Sequence, residues 1–169
     1  LFENVLIKFE RAKHHPDEQP HTCGEANVMI VGMGRIGTAI FKSLQENNIK
    51  VVGFDADTDC VKQHLFHGLR VTYADVEDPS FWSQLRFGKL ETIVLAVPTL
   101  HSQNWSILQA RKYGFNGKII VPVRSPGDEE HLKISGADFT YDPYEATAIG
   151  VKQILVDKTT KVKRIPTKY

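Results

Sequence analysis

The chain has 169 residues, 41% of them hydrophobic and 24% charged, and a formal net charge of +1. That length holds one full core with short appendages, and so even a charge argues against nucleic acid as the main partner. No apolar run reaches the length of a membrane span, and two cysteines, Cys23 and Cys60, are too few for a disulfide framework. Reduced thiols in a cytosolic compartment are expected.

In chain order, residues 1–13 space Leu1, Val5 and Phe9 at helical intervals with charges between them. Residues 14–20 carry Pro16 and Pro20 and read as a linker. The chain opens at Leu1 with neither a methionine nor a signal-peptide pattern, which suggests a piece of something longer. From Asn27 onward, strand patterns at 27–31, 50–55, 70–74, 91–97, 118–123 and 138–141 alternate with helical ones at 35–47, 58–67, 79–87, 100–113, 126–134 and 143–157. The expected division is a segment and linker at 1–25, one domain at 26–157 and a tail at 158–169.

The helix starts are well marked. Asp78-Pro79, Ser125-Pro126 and Asp142-Pro143 each pair an N-cap residue with a proline at the first helical position, and Glu145 completes a capping-box pattern with Asp142. Strand runs such as 92–98 and 117–123 are apolar on both faces, as in a parallel sheet covered on both sides. Strands alternating with helices therefore predict an α/β fold, a doubly wound Rossmann-type sheet of six parallel strands in the order 3-2-1-4-5-6. The last helix carries Tyr144, Ala148, Val151, Ile154 and Leu155 on one side. It either closes the sheet or packs against a partner domain. The tail, with Lys161, Lys163, Arg164 and Lys168, is a solvated end or a contact for anionic headgroups.

The first strand runs into Gly32-Met33-Gly34-Arg35-Ile36-Gly37, and Asp55 ends the second. This is the pattern of a dinucleotide fingerprint. Gly32 permits the turn, Gly34 lets a phosphate approach the backbone, and Gly37 lets the helix lie close on the sheet. The helix N-terminus offers N–H groups to phosphate, and Asp55 suits a ribose diol with a free 2′-hydroxyl. The ligand of such a fold sits beyond the carboxyl ends of the strands. That rule adds Ala56 after strand two, Asp75 and Val76 after strand three, and Val97, Pro98 and Thr99 after strand four. Asp57 is a helix cap or a ligand contact, and Asp75 an adenine contact or a loop cap. Arg35 points to solvent or meets a second anion, either a phosphate or an acidic ligand from a neighbouring subunit.

Catalytic equipment is poorly represented. His14, His15 and His21 lie in the linker without further fixed metal ligands, and no metal site is expected. His64, His67 and His131 fall on helix surfaces or ends. His101 follows strand four and is the one candidate acid–base group, but the sheet uses nearly all the residues that a second, substrate-covering domain would need.

The run from Val28 to Asp55 is similar to the coenzyme domain of D-2-hydroxyacid dehydrogenases, which would imply a small NAD-dependent oxidoreductase. Later motifs point elsewhere. Arg70-Val-Thr-Tyr-Ala-Asp75-Val, Pro122-Val-Arg124, Glu130-His131-Leu132 and Gly136-Ala137-Asp138 resemble the regulator-of-conductance (RCK/KTN, TrkA N-terminal type) domains of potassium transport. The cytoplasmic domains of glutathione-regulated potassium-efflux antiporters are nearest, and the resemblance covers about residues 26–157. Ala74 and Val76 depart from the family's small residues around Asp75, implying a tighter adenine pocket.

The resemblance implies a regulator with no catalytic residues, on the cytoplasmic face of the inner membrane, attached to a transporter portion through residues 1–25. It implies AMP or NAD(H) as ligand. Gly32, Met33, Gly34, Arg35, Ile36 and Gly37 would lie along the phosphates, Asp55 and Ala56 at the ribose, Asp75 and Val76 at the adenine, and Val97 and Pro98 beyond. It further implies a homodimer, and possible binding of glutathione or its adducts through Arg35 and Arg124.

Overall fold

A computed structural model describes residues 21–156 apart from residues 124 and 126. The helix expected at 1–13 and the basic tail lie outside the described residues. Six strands form one sheet: β1 (Val28–Val31), β2 (Val51–Asp55), β3 (Val71–Tyr73), β4 (Thr92–Leu95), β5 (Lys118–Pro122) and β6 (Phe139–Tyr141). All pair in parallel, in the order β3-β2-β1-β4-β5-β6. This is the Rossmann-type order that the alternation of patterns predicts.

The connections are α1 (Arg35–Glu46), α2 (Thr58–Phe66), α3 (Pro79–Gln84), α4 (Leu100–Lys112) and α5 (Asp128–Ser135), and α6 (Pro143–Val156) follows β6. Side chains alternate between the two faces of a strand, so the central strands must be apolar on both. Met29 and Val31 of β1 join a core with Phe81, Trp82, Ile107 and Leu132 of α3, α4 and α5. Ile30 turns the other way and joins Phe41 of α1 and Val61 of α2. The edge strands β3 and β6 are more exposed than β1 and β4.

Three sequence expectations change. Residues 21–25, read as linker, are packed into the domain: Cys23 is fully buried, and Cys23 and Arg86 are joined through Cys23 N to Arg86 O (3.2 Å). Helix α3 stops at Gln84 instead of running to 87, because Leu85 is extended and Arg86 N donates to His21 O (2.9 Å). Helix α5 runs Asp128–Ser135 against an expected 126–134, with Gly127 as its N-cap and Asp128 N donating to Ser125 O (3.0 Å).

Two other expected caps form as read. Asp78 accepts from Ser80 N (2.8 Å) with Pro79 opening α3, and Asp142 accepts from Tyr144 N (2.7 Å). Helix α6 itself has no buried residue, so it does not close the sheet. An apolar groove of about 400 Å³ stays open beside α1, lined by Val28, Ile40, Leu44, Thr92, Val94, Ile120 and Tyr141.

Candidate functional site

At the carboxyl end of β1 the chain turns through Gly32, whose φ is +88°, a value that disfavours any side chain. A Cβ there would lie 2.9 Å from the Ala96 backbone. A Cβ on Gly37 would lie 1.9 Å from Gly32 O, so the helix can approach the strand only without one. Gly34 differs from both. A Cβ on it would meet nothing within 4 Å. Its bareness is therefore not required by packing; it leaves open space in front of α1. Gly34 also caps α1 without a side-chain bond, so among the described residues the first-turn N–H groups have no capping side chain.

Asp55 stands opposite. Its Oδ2 accepts from Met33 N (2.6 Å) and its Oδ1 from Asp57 N (2.8 Å). Both oxygens are fixed, and each keeps a lone pair for a further donor. Asp57 is the cap of α2, accepting from Asp59 N (2.8 Å) and Cys60 N (3.2 Å), which resolves its two readings in favour of the cap.

Between these groups lies a largely apolar cleft of about 130 Å³, lined by Val31, Gly32, Phe54, Asp55, Ala56, Ala74, Val76, Val97 and Pro98. It sits where the order reverses between β1 and β4, the expected ligand position in such sheets. The structure thus brings Gly32, Asp55, Ala56, Val76, Val97 and Pro98 together. Gly34, Arg35, Ile36 and Gly37 form the adjoining rim. Arg35 is exposed, and Arg124 lies outside the described residues. Asp75 is exposed and its Oδ1 accepts from Glu77 N (2.9 Å), which makes it a loop cap whose other oxygen has no donor among the described residues.

Met33 plays a different part from a contact residue. Its side chain is buried in the core, and a Cβ on Gly53 of β2 would come within 2.7 Å of its sulfur. Its carbonyl takes Thr38 Oγ1 (2.7 Å), His64 Nε2 (2.9 Å) and the more distant Cys60 Sγ (3.5 Å). Loop, α1 and α2 are thereby joined at one oxygen. Sequence reading missed Gly53, Thr38 and this use of His64; the only signal was the i,i+4 spacing of Cys60 and His64 on one helix face. The Cys60 thiol is pushed up in pKa by burial and by Asp55 and Asp57 beside it. Burial also pushes Cys23, up to about 11. His101 is exposed on α4 and is not among the residues lining the cleft.

The TrkA-N domain family model matches residues 28–143. The chain belongs to the TrkA-N family. Among named relatives of this TrkA-N domain is KefB of Alkalimonas amylolytica, named as a K(+) efflux antiporter. It is 27% identical over 113 residues, 67% of this chain and 17% of that protein. Ktr system potassium uptake protein C of Bacillus subtilis is 24% identical over 115 residues, 68% of this chain and 52% of its own length. The chain thus spans only part of the relatives it matches.

Solved structures of the same fold include the TrkA-N domain of inner membrane protein ybaL from Escherichia coli. Its TM-score is 0.64 at 16% identity, covering 77% of this chain and 97% of that one. The GsuK channel bound to NAD gives 0.60 at 22% identity, covering 84% and 25%. GsuK bound to ADP gives 0.62 at 18%, covering 81% and 34%. Among the described residues no helix is long and apolar enough to cross a membrane, and no group of histidine, cysteine and acidic side chains is placed to hold a metal ion.

Proposed function

We propose that this TrkA-N domain binds an adenine nucleotide, AMP or NAD(H), without turning it over. Through that binding it controls a potassium efflux or potassium–proton antiport system from the cytoplasmic face of the inner membrane. The observation that carries the reading is the vacant space before Gly34. It faces the uncapped N-terminus of α1, with a fixed carboxylate at Asp55 and an apolar slot alongside. Phosphate, ribose diol and base each have a chemically matched neighbour there. The names of the relatives support the transport side, and GsuK bound to NAD and to ADP supports the ligand class.

Residues 1–20 would lead toward a transporter portion. Pairing with a second copy is supported by the open apolar groove and by an α6 on which Ile154 and Leu155 are exposed. A ligand acts on a gate only through different affinities for two conformations, and an interface beside the cleft would let them differ. Arg35, exposed on the phosphate rim, and Arg124 remain the positions proposed to meet glutathione or its adducts.

Calorimetry with AMP, NAD and NADH tests the reading, with NADH absorbance followed for turnover. Binding without turnover is expected, and Asp55→Ala should weaken it by about tenfold to a hundredfold through loss of the ribose hydrogen bonds. Absence of binding by all three nucleotides overturns it. NADH consumption abolished by His101→Ala would favour an oxidoreductase instead.

A further inference from the structure

The two sides of the base slot are fixed by different means. Its β2 side is tied by Asp55 to Met33 N of the glycine loop (2.6 Å). Its β3 side is a turn of four residues, Asp75–Asp78, closed by Asp78 N on Asp75 O (3.2 Å). Within that turn Val76 is buried and its carbonyl accepts Trp82 Nε1 (2.8 Å). Nothing in those local bonds sets how far Val76 stands from Val97 and Pro98, the slot residues contributed by β4.

One bond does. Ser102, buried on the first turn of α4, donates Oγ–H to Glu77 Oε1 at 2.5 Å, across 25 positions of sequence. Among the described residues it is the one hydrogen bond joining the turn after β3 to the start of α4, which follows directly on the turn after β4. The hydroxyl is committed in its direction. Thr99 Oγ1 accepts from Ser102 N (3.0 Å) and lies 2.5 Å from Ser102 Oγ. Ser102 gives its proton to the carboxylate, so Thr99 must donate to Ser102. The chain Thr99 to Ser102 to Glu77 therefore ends on a charge, and such a bond is short and strong for its class.

We infer that the Glu77–Ser102 clasp is a positioning device that holds the base slot of the nucleotide site at its working width. This rests on the nucleotide reading above. Neither residue lines the cleft; both act through Val76 on one side and the Val97–Thr99 segment on the other. A base entering a slot already at its final width orders less of the protein on binding, and affinity gains by what is not spent on ordering. The clasp should matter for the base and be silent for the phosphate and ribose, which meet α1 and Asp55.

The test compares AMP with ribose 5-phosphate, which lacks the base, by amide-shift titration of the intact chain. In Ser102→Ala and in Glu77→Ala, AMP affinity should fall several-fold to tenfold while that of ribose 5-phosphate is unchanged. The double variant should lose little more than either single one, because both break the same bond, and Ser102→Thr should restore AMP binding. Equal loss for both ligands, additive losses, or no loss of AMP binding overturns the clasp. Glu77 is exposed, so its variant folds even where Ser102→Ala does not. Failure of the unaltered chain to bind AMP, NAD or NADH would instead bring down the nucleotide reading itself.

Discussion

The two ends of the sheet treat their polar groups in opposite ways. At the amino end, Arg111 of α4 spends its guanidinium on its own chain, donating to Phe115 O (2.9 Å), Gly117 O (2.8 Å), Gly136 O (2.9 Å) and Asp138 Oδ2 (2.7 Å). Asp138 accepts in turn from Ile119 N (2.7 Å), so β5, β6 and the end of α5 are stapled together. At the carboxyl end no side chain among the described residues caps the first turn of α1, and Asp55 keeps capacity for more. Saturated polar groups hold a fold together, whereas groups held in place but left incomplete are set for a ligand.

Breaking the amino end gives the largest effect expected. Arg111→Ala leaves several part-buried carbonyls and the Asp138 carboxylate short of donors, which should cost about 3 kcal/mol. In a chain of this size that lowers Tm by about 10 °C. Calorimetric unfolding reads the loss, and AMP affinity, measured below the new Tm, should not change. A fall in affinity matching the fall in stability would mean that the two ends are not independent.

The opposite variant is Gly34→Val. Because a Cβ at Gly34 meets nothing within 4 Å, the domain should fold with Tm displaced by only a few degrees. The side chain then stands where the phosphate would come, and nucleotide affinity should drop by about a hundredfold, roughly 2.7 kcal/mol. Together with Arg111→Ala this makes a double dissociation: stability without binding in one variant, binding without stability in the other. Tight AMP binding by Gly34→Val would move the ligand elsewhere on the domain.

The comparison also explains what could be read from the sequence. Strand order followed from apolar periodicity and the glycine turn, since both are local patterns with one compatible topology. Gly32 and Gly37 were legible because the positive φ of the turn at Gly32 and the approach of Gly37 to Gly32 O are needs that act within a few residues. The Arg111 staple was not: Gly136-Ala137-Asp138 stood out only as a family-like motif. Its role, a helix end whose C-cap Gly136 has φ 111° and an aspartate reaching Arg111, needs residues 25 and 27 positions apart. Residues 21–25 were misread for a related reason. Two prolines nearby signalled a break, but the burial of Cys23 depends on Arg86, far along the chain. The Glu77–Ser102 bond was equally silent, being a meeting of two turns with no shared pattern.

His21 gives the smallest expected effect and the finest division between the two ends. Its ring packs on Phe54, a residue of the cleft (6.2 Å between centroids), and on Phe81 (5.1 Å). Burial lowers its pKa from 6.5, against the opposing pull of Asp78. The neutral imidazole is thus favoured by folding. As pH falls through 6.5 the unfolded chain takes up a proton that the folded chain binds less readily, so stability declines. The decline is complete once pH passes below the lowered folded value, where both states are protonated. Denaturant midpoints measured from pH 7.5 to pH 5 should show this fall, and His21→Phe should remove that part of it. The Arg111 staple joins β5, β6 and the end of α5, elements other than those on which the His21 ring packs. Arg111→Ala should therefore lower the whole curve without altering its slope. A slope unchanged in His21→Phe would show that the pH sensitivity does not arise behind Phe54, and that the carboxyl end is no softer toward acid than the stapled one.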